Sequence, residues 1–278
     1  MLTVVLNAFV LIITWKDPFK NLKGIPNYLI LNLAVTDLFV GFPAQLFLTL
    51  LHWCPYKSIV QVRDITLVLG FYASGLTVMG LAVERLIVIS NPLKSADYVT
   101  YSNLRRGIFC IWFVAGLIAF LPAFDMDAIS RTNRIINDLL GILILILTVA
   151  CYARIFFLVR KGSHRASTSE AGGCEERQRL TENAREKEKI KRRERIVMRC
   201  VAILVGLLIV CWAPCIVLAN IKLCGKNCCV NPDALRSTAN GLICLRQLVH
   251  PIAYSMCTRK FRRALWKVIC KCNSTSLR

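Results

Sequence analysis

Apolar residues in this chain fall in long blocks separated by short, strongly basic stretches, and block length is the first informative quantity. Crossing about 30 Å of hydrocarbon takes roughly 20 helical residues at 1.5 Å each. Blocks of that order occupy Pro26–Leu51, Ile59–Ser90, Leu104–Phe124, Ile135–Val159, Ile196–Ile221 and Leu235–Met256. These predict six spanning helices. A seventh block, Met1–Trp15, would reach only about 22 Å as a helix. It reads as a first helix truncated at its outer end. A secretory signal peptide is the alternative, but the block lacks a basic leader and a clear small-residue cleavage site.

Composition agrees with the blocks. Of 278 residues, 56% are hydrophobic and the mean hydropathy is +0.54, which leaves too little polar side chain to cover a water-soluble surface. The formal charge of +20 does not point to nucleic acid, because the basic residues lie between apolar runs and not on one folded polar face. It reads as topology. Counting Arg85 at the inner end of the third span, 28 of the 36 lysines and arginines fall on one side if Lys16–Lys23, Asn91–Arg106, Arg154–Arg199 and the tail from Arg259 are cytoplasmic. The amino terminus is then outside and the carboxyl terminus inside.

The chain reads as a membrane domain over 1–258, with a third cytoplasmic loop at about 161–195, followed by a tail over 259–278. In that tail Phe261, Leu265, Trp266, Val268 and Ile269 alternate with basic residues, as expected of a short amphipathic helix on an anionic leaflet. Cys270 and Cys272 are palmitoylation candidates, with plain membrane-proximal cysteines the alternative. The 14 cysteines show no metal-ligand spacing, and most sit in apolar runs as small hydrophobes. No metal or cofactor is expected.

Polar and helix-breaking residues placed inside lipid are costly, so their order carries information. The second span reads Asn32-Leu33-Ala34-Val35-Thr36-Asp37, and the third ends Leu81-Ala82-Val83-Glu84-Arg85-Leu86 with Pro92 following. The fourth contains Trp112, the sixth Cys211-Trp212-Ala213-Pro214, and the seventh His250-Pro251-Ile252-Ala253-Tyr254. With Asn7 in the first span and Tyr152 in the fifth, the chain resembles the rhodopsin-like (class A) G-protein-coupled receptors over essentially its whole length. The expected architecture is all-α, a seven-transmembrane helix bundle with a short amphipathic eighth helix.

The resemblance implies roles. Arg85 is the switch arginine, held by Glu84 and by Glu194 at the inner end of the sixth helix. Breaking that clamp would let the sixth helix swing outward about Pro214 and open a cavity for a heterotrimeric G protein, with Tyr152 and Tyr254 bracing the open state. Trp212 would lie beneath the ligand pocket, with Leu208 and Gly75 at mid-membrane packing positions and Pro251 in the seventh-helix kink. Family members commonly bind sodium between an aspartate, a serine and seventh-helix asparagines. Here Asp37 and Ser74 are present, but Arg246 and His250 replace the asparagines. A mid-membrane arginine costs about 2.5–3.5 kcal/mol unless it finds a partner. Pairing of Arg246 with Asp37, His250 hydrogen-bonding nearby, and insensitivity to sodium are therefore expected.

Several departures bear on the ligand. Val60 and the loop Asp125–Arg134 lack the cysteines of the family's usual outer disulfide, whereas Cys224, Cys228 and Cys229 crowd the third outer loop and are disulfide candidates. Ile144 replaces the usual fifth-helix proline. These features resemble, weakly, the melanocortin, cannabinoid and lysophospholipid receptors. Cys244 stands where opsins carry the retinal lysine and Leu67 where amine receptors carry an aspartate, so a peptide or lipid ligand is favoured over retinal or a biogenic amine. Asp64 could meet a cationic ligand, although it neighbours Arg63. Membrane lipid is a further expected partner, and nucleic acid is not. No catalytic constellation is evident, and a transporter would carry more ionisable groups along a path. An uncoupled decoy receptor stays open because Leu86 replaces the tyrosine usual after Arg85.

Overall fold

The computed structural model describes residues 2–17, 24–43, 46–47, 49–50, 56–120, 127–165, 202–203, 205–207, 209–212, 238, 241–242, 245–253 and 261–268. Among them there is helix and no strand. The helices are α1 (Leu2–Lys16), α2 (Ile25–Gly41), α3 (Lys57–Ser90), the single turn α4 (Ser95–Tyr98), α5 (Tyr101–Phe120) and α6 (Asp127–Arg165). Further helical residues lie within 202–212, 245–253 and 261–268.

Local chemistry sets the ends. Pro26 occupies the first turn of α2 after an extended Gly24, where its missing N–H costs nothing. Asp17 closes α1 at a φ of 27°, donating its N–H to the Ile13 carbonyl at 3.0 Å, in a region where Asp is among the better tolerated side chains. α3 closes with the Asn91 N–H on the Ile87 carbonyl at 3.1 Å. Pro92 follows at once, and the residue before a proline disfavours helix.

Ser58–Ser90, Tyr101–Phe120 and Ile135–Arg160 are each long and apolar enough to cross a membrane, and Leu2–Lys16 and Ile25–Gly41 are shorter apolar helices. The span Ile135–Arg160 matches the expected block Ile135–Val159, and the helix continues beyond it at both ends. α6 begins at Asp127 and ends at Arg165, so most of the expected loop Asp125–Arg134 is helical, as is the start of the loop expected from 161. Apolar length fixes only what lies in lipid, and a helix can continue into water wherever its own hydrogen bonds are kept.

α3 is the central helix. At 34 residues it is about 51 Å long, and it packs on α2, α5 and α6, while α1 packs on α2. The α2–α3 approach is close because Gly70 has no Cβ, and one added there would fall 1.7 Å from Val40 Cγ2. The buried apolar cluster runs through Leu33, Ala73, Val78, Leu81, Ala115, Ile144, Val205 and Trp212. A second cluster joins Val10, Ile13 and Ala34 to Phe261 and Ala264, docking the 261–268 helix on α1 and α2. Large apolar side chains such as Phe109 and Leu139 face outward. Asn7, Asp37, Ser74, Arg246 and His250 are buried, the arrangement expected when lipid is the solvent.

Candidate switch and polar core

Near the carboxyl-terminal end of α3, Glu84 and Arg85 form an ion pair. Arg85 Nη2 donates to Glu84 Oε1 at 3.0 Å, and Nε lies 2.6 Å from Oε2. The second approach is ionic without being a directed hydrogen bond, since Nε and Oε2 have no hydrogen-bond partner among the described residues. Side-chain exposures of 13% and 9% put both charges where water screens them weakly. Tyr152 of α6 packs against the central apolar cluster.

Three polar contacts tie the interior together. Asn7 Nδ2 donates to the carbonyls of Thr3 at 2.9 Å and Gln247 at 3.2 Å, linking α1 to 245–253. Asn32 donates to Thr77 Oγ1 at 2.8 Å and accepts from Trp112 Nε1 at 2.9 Å, so one amide joins α2, α3 and α5. The third contact is His250 Nδ1 to Asp37 Oδ2 at 2.8 Å, with both side chains no more than 2% exposed. A small cavity beside that pair is lined by Asn7, Asp37, His250 and Pro251 among others. The α2–α3 register, fixed by Asn32 on Thr77 and Val40 on Gly70, brings Ser74 to the level of Thr36 and Asp37. Its buried hydroxyl has no hydrogen-bond partner among the described residues.

Asp37, expected to pair with Arg246, has the His250 imidazole on its carboxylate. Arg246 and His250 are four apart and share a helix face, but His250 stands at the level of Asp37 and Arg246 a turn away. There the guanidinium meets an aromatic face, with Cζ 5.3 Å from the Phe71 ring centroid. Phe71 in turn stacks on Trp212 at 4.2 Å and 14°. The Trp212 ring lies between two glycines: a Cβ on Gly75 would come within 2.7 Å of Cζ2, and one on Gly141 within 3.4 Å of Cζ3. Toward the opposite end of α3, the Arg63 guanidinium donates to Asp64 Oδ1 through Nε at 2.9 Å and Nη2 at 2.7 Å. Arg63 is 7% exposed there and Asp64 53%.

A family model for the seven-transmembrane receptors of the rhodopsin family matches residues 6–254. The chain belongs to that family. Lysophosphatidic acid receptor 2 of Mus musculus is 29% identical over 262 residues, covering 87% of this receptor and 70% of that protein. Sphingosine 1-phosphate receptor 3 of Takifugu rubripes is 26% identical over 290 residues, covering 95% and 67%. A Gq-coupled rhodopsin of Mizuhopecten yessoensis is 26% identical over 275 residues, covering 89% of this receptor and 53% of that protein.

The chain is therefore a multi-pass plasma-membrane receptor of the G-protein-coupled, signal-transducing type, and its relatives are receptors, not enzymes. Of the site residues expected from sequence, Asn7, Asp37, Ser74, Glu84, Arg85, Tyr152, Trp212, Arg246, His250 and Pro251 are described; Asp37 meets His250, Glu84 meets Arg85, Asn7 and Pro251 share the cavity of the first pair, and Phe71 joins Arg246 to Trp212. Glu194, Leu208, Pro214, Cys224, Cys228, Cys229, Tyr254, Cys270 and Cys272 lie outside the described residues. Sequence reasoning missed Phe71, Thr77 and Gly141. Only Gly141 carried a visible signal, a lone glycine inside a long apolar helix.

Proposed function

We propose that the receptor binds a phosphate-bearing lipid at its outer face and promotes nucleotide exchange on a heterotrimeric G protein at its inner face. The paired Glu84 and Arg85 in a weakly screened site support the inner half of this reading most directly. A buried ion pair is costly to break unless something replaces the lost partner, so the pair is a natural two-state element, closed here and opened when the helix carrying Trp212 moves outward. Glu194 would close the clamp from that helix, and Glu194→Ala should raise basal exchange at equal surface expression. The amino terminus outside and carboxyl terminus inside follow from the basic loops. The 261–268 helix lies on the inner leaflet with Arg262, Arg263 and Lys267 toward lipid headgroups.

For the ligand, two named relatives are receptors for lysophosphatidic acid and sphingosine 1-phosphate. Arg63 offers what a phosphate needs, a nearly buried planar guanidinium held in orientation by Asp64. A rhodopsin and a serotonin receptor are also among the relatives. Retinal and amine ligands are disfavoured by Cys244 and Leu67, which supply neither a Schiff-base amine nor a counter-ion. The test is exchange on a panel of G-protein α-subunits with lysophosphatidic acid or sphingosine 1-phosphate added. One of them should stimulate the receptor, and Arg63→Ala should weaken that stimulation at least tenfold. A stimulated response that Arg63→Ala leaves unchanged would refute the ligand assignment. Basal exchange without lipid stimulation would keep the coupling and reject this ligand class, and no exchange at all would favour the uncoupled decoy.

A further inference from the structure

Arg246, Phe71 and Trp212 form one connected stack that the Asp37–His250 pair and the Glu84–Arg85 switch do not use. Arg246 and Trp212 are both fully enclosed, at 1% and 0% exposure. Phe71 is the shared element, with its ring under the guanidinium at 5.3 Å and parallel to the indole at 4.2 Å. Tyr72 adds an edge contact to the indole at 6.4 Å and 70°. The far edge of the indole is fitted against Gly75 and Gly141. The indole N–H has no hydrogen-bond partner among the described residues, and the contacts they supply to the side chain are those of shape and ring face. The attraction of a cation for an aromatic face is largest where water is excluded, and all three side chains meet inside the bundle.

We propose that Arg246 is a positioning residue for Trp212. Its guanidinium holds Phe71 face-on to the indole and so biases the receptor toward the state in which Trp212 fills the Gly75–Gly141 slot. The inference rests on the reading above, in which the helix carrying Trp212 moves during switching. The slotted indole and the closed Glu84–Arg85 pair occur in the same structure, which makes the slotted state the restrained one. Removing the cation should free the ring pair and shift the ratio of restrained to open states by about two- to thirty-fold, the span from an exposed to a desolvated cation–aromatic contact.

The experiment uses the full chain in lipid nanodiscs, labelled with 5-fluorotryptophan, with the Trp212 resonance assigned by its loss in Trp212→Phe. Arg246→Met keeps most of the side-chain length without the charge. It should move or split the Trp212 resonance and raise basal nucleotide exchange at least threefold. Arg246→Lys should restore most of both, and in a Phe71→Leu background Arg246→Met should change neither further. A merely structural arginine would lower yield and thermal midpoint while leaving the Trp212 resonance of the folded protein in place. That result overturns the proposal, as do additive effects of the two substitutions. Should Arg246→Met not fold, Phe71→Leu decides with the charge retained: a shifted Trp212 resonance supports the stack and an unmoved one refutes it. If no form of the protein promotes exchange, the receptor reading fails separately, and the resonance still decides whether Arg246 positions the indole.

Discussion

Gly75 and Gly141 flank the same indole at different distances, and that difference sets their expected responses to a methyl group. At Gly75 an added Cβ would fall 2.7 Å and 2.9 Å from two atoms of a rigid ring, so Trp212 must move. Gly75→Ala should cost about 1–3 kcal/mol, as overpacking does, and raise basal exchange as the indole leaves its slot. At Gly141 the nearest ring atom is 3.4 Å away. Gly141→Ala should come close to neutral, since the helix propensity gained, roughly 0.5–1 kcal/mol, offsets the tight contact. Thermal midpoints and basal exchange of the two variants check this, and equal effects would contradict it. His250 carries a second prediction at this scale. With imidazole on one oxygen of the Asp37 carboxylate, and with Arg246 and His250 in place of two asparagine ligands, sodium should bind poorly, so basal signalling should not vary with sodium at constant ionic strength. His250→Asn should create such a dependence, and a sodium response in the unmodified receptor would contradict the assignment. The identities of these residues were legible in the sequence because charge in lipid is conspicuous. Which partner each took was not, because Arg246 and His250 share a helix face and only the register on α2 and α3 separates their levels.

The helices show the same division between what pattern reveals and what packing decides. Apolar blocks located α1 and the spans within α3, α5 and α6 to within a few residues, because the hydrocarbon requirement leaves little freedom. The α6 helix runs past both ends of its apolar block, Ile135–Val159, since Asp127–Arg134 and Lys161–Arg165 are polar and helical at once, and hydropathy does not register helix in water. The tie of α2, α3 and α5 through Asn32 was half visible. Asn32 and Trp112 stood out as motif residues, but Thr77 resembled any β-branched residue in an apolar run. Asn32→Leu removes both interhelical bonds. Such bonds are worth about 0.6 kcal/mol each on average and up to about 1.7, so a loss of roughly 1–3 kcal/mol is expected. A thermal midpoint unchanged in Asn32→Leu would show that the amide is not a tie. Phe261, at 2% exposure against α1 and α2, anchors the 261–268 helix. Phe261→Asp should undock it, measurable as faster amide exchange over 261–268 with 245–253 unaffected.

For the whole molecule, topology and switching are joined by charge. On the orientation proposed from the basic loops, with the tail inside, Asn273-Ser274-Thr275, formally a glycosylation acceptor, should carry no glycan when the receptor is made in cells. A glycan at Asn273 would reverse the orientation and put the Glu84–Arg85 pair on the wrong side for a G protein. The family was legible from motif elements in order along the spans, and the match over residues 6–254 agrees. The ligand was legible only by exclusion, because pocket shape depends on outer loops whose sequence has no periodicity to read. The central claim is that Arg85, held by Glu84, gates nucleotide exchange, and one measurement tests it most directly. Purified receptor in nanodiscs is mixed with each of a panel of G-protein α-subunits, and nucleotide exchange is compared between the unmodified chain, Glu84→Gln and Arg85→Ala, with folding verified for each. The expected result is exchange above background on at least one subunit, raised by Glu84→Gln and abolished by Arg85→Ala. Exchange that persists undiminished in Arg85→Ala, or is absent from the folded unmodified receptor on every subunit, would contradict it.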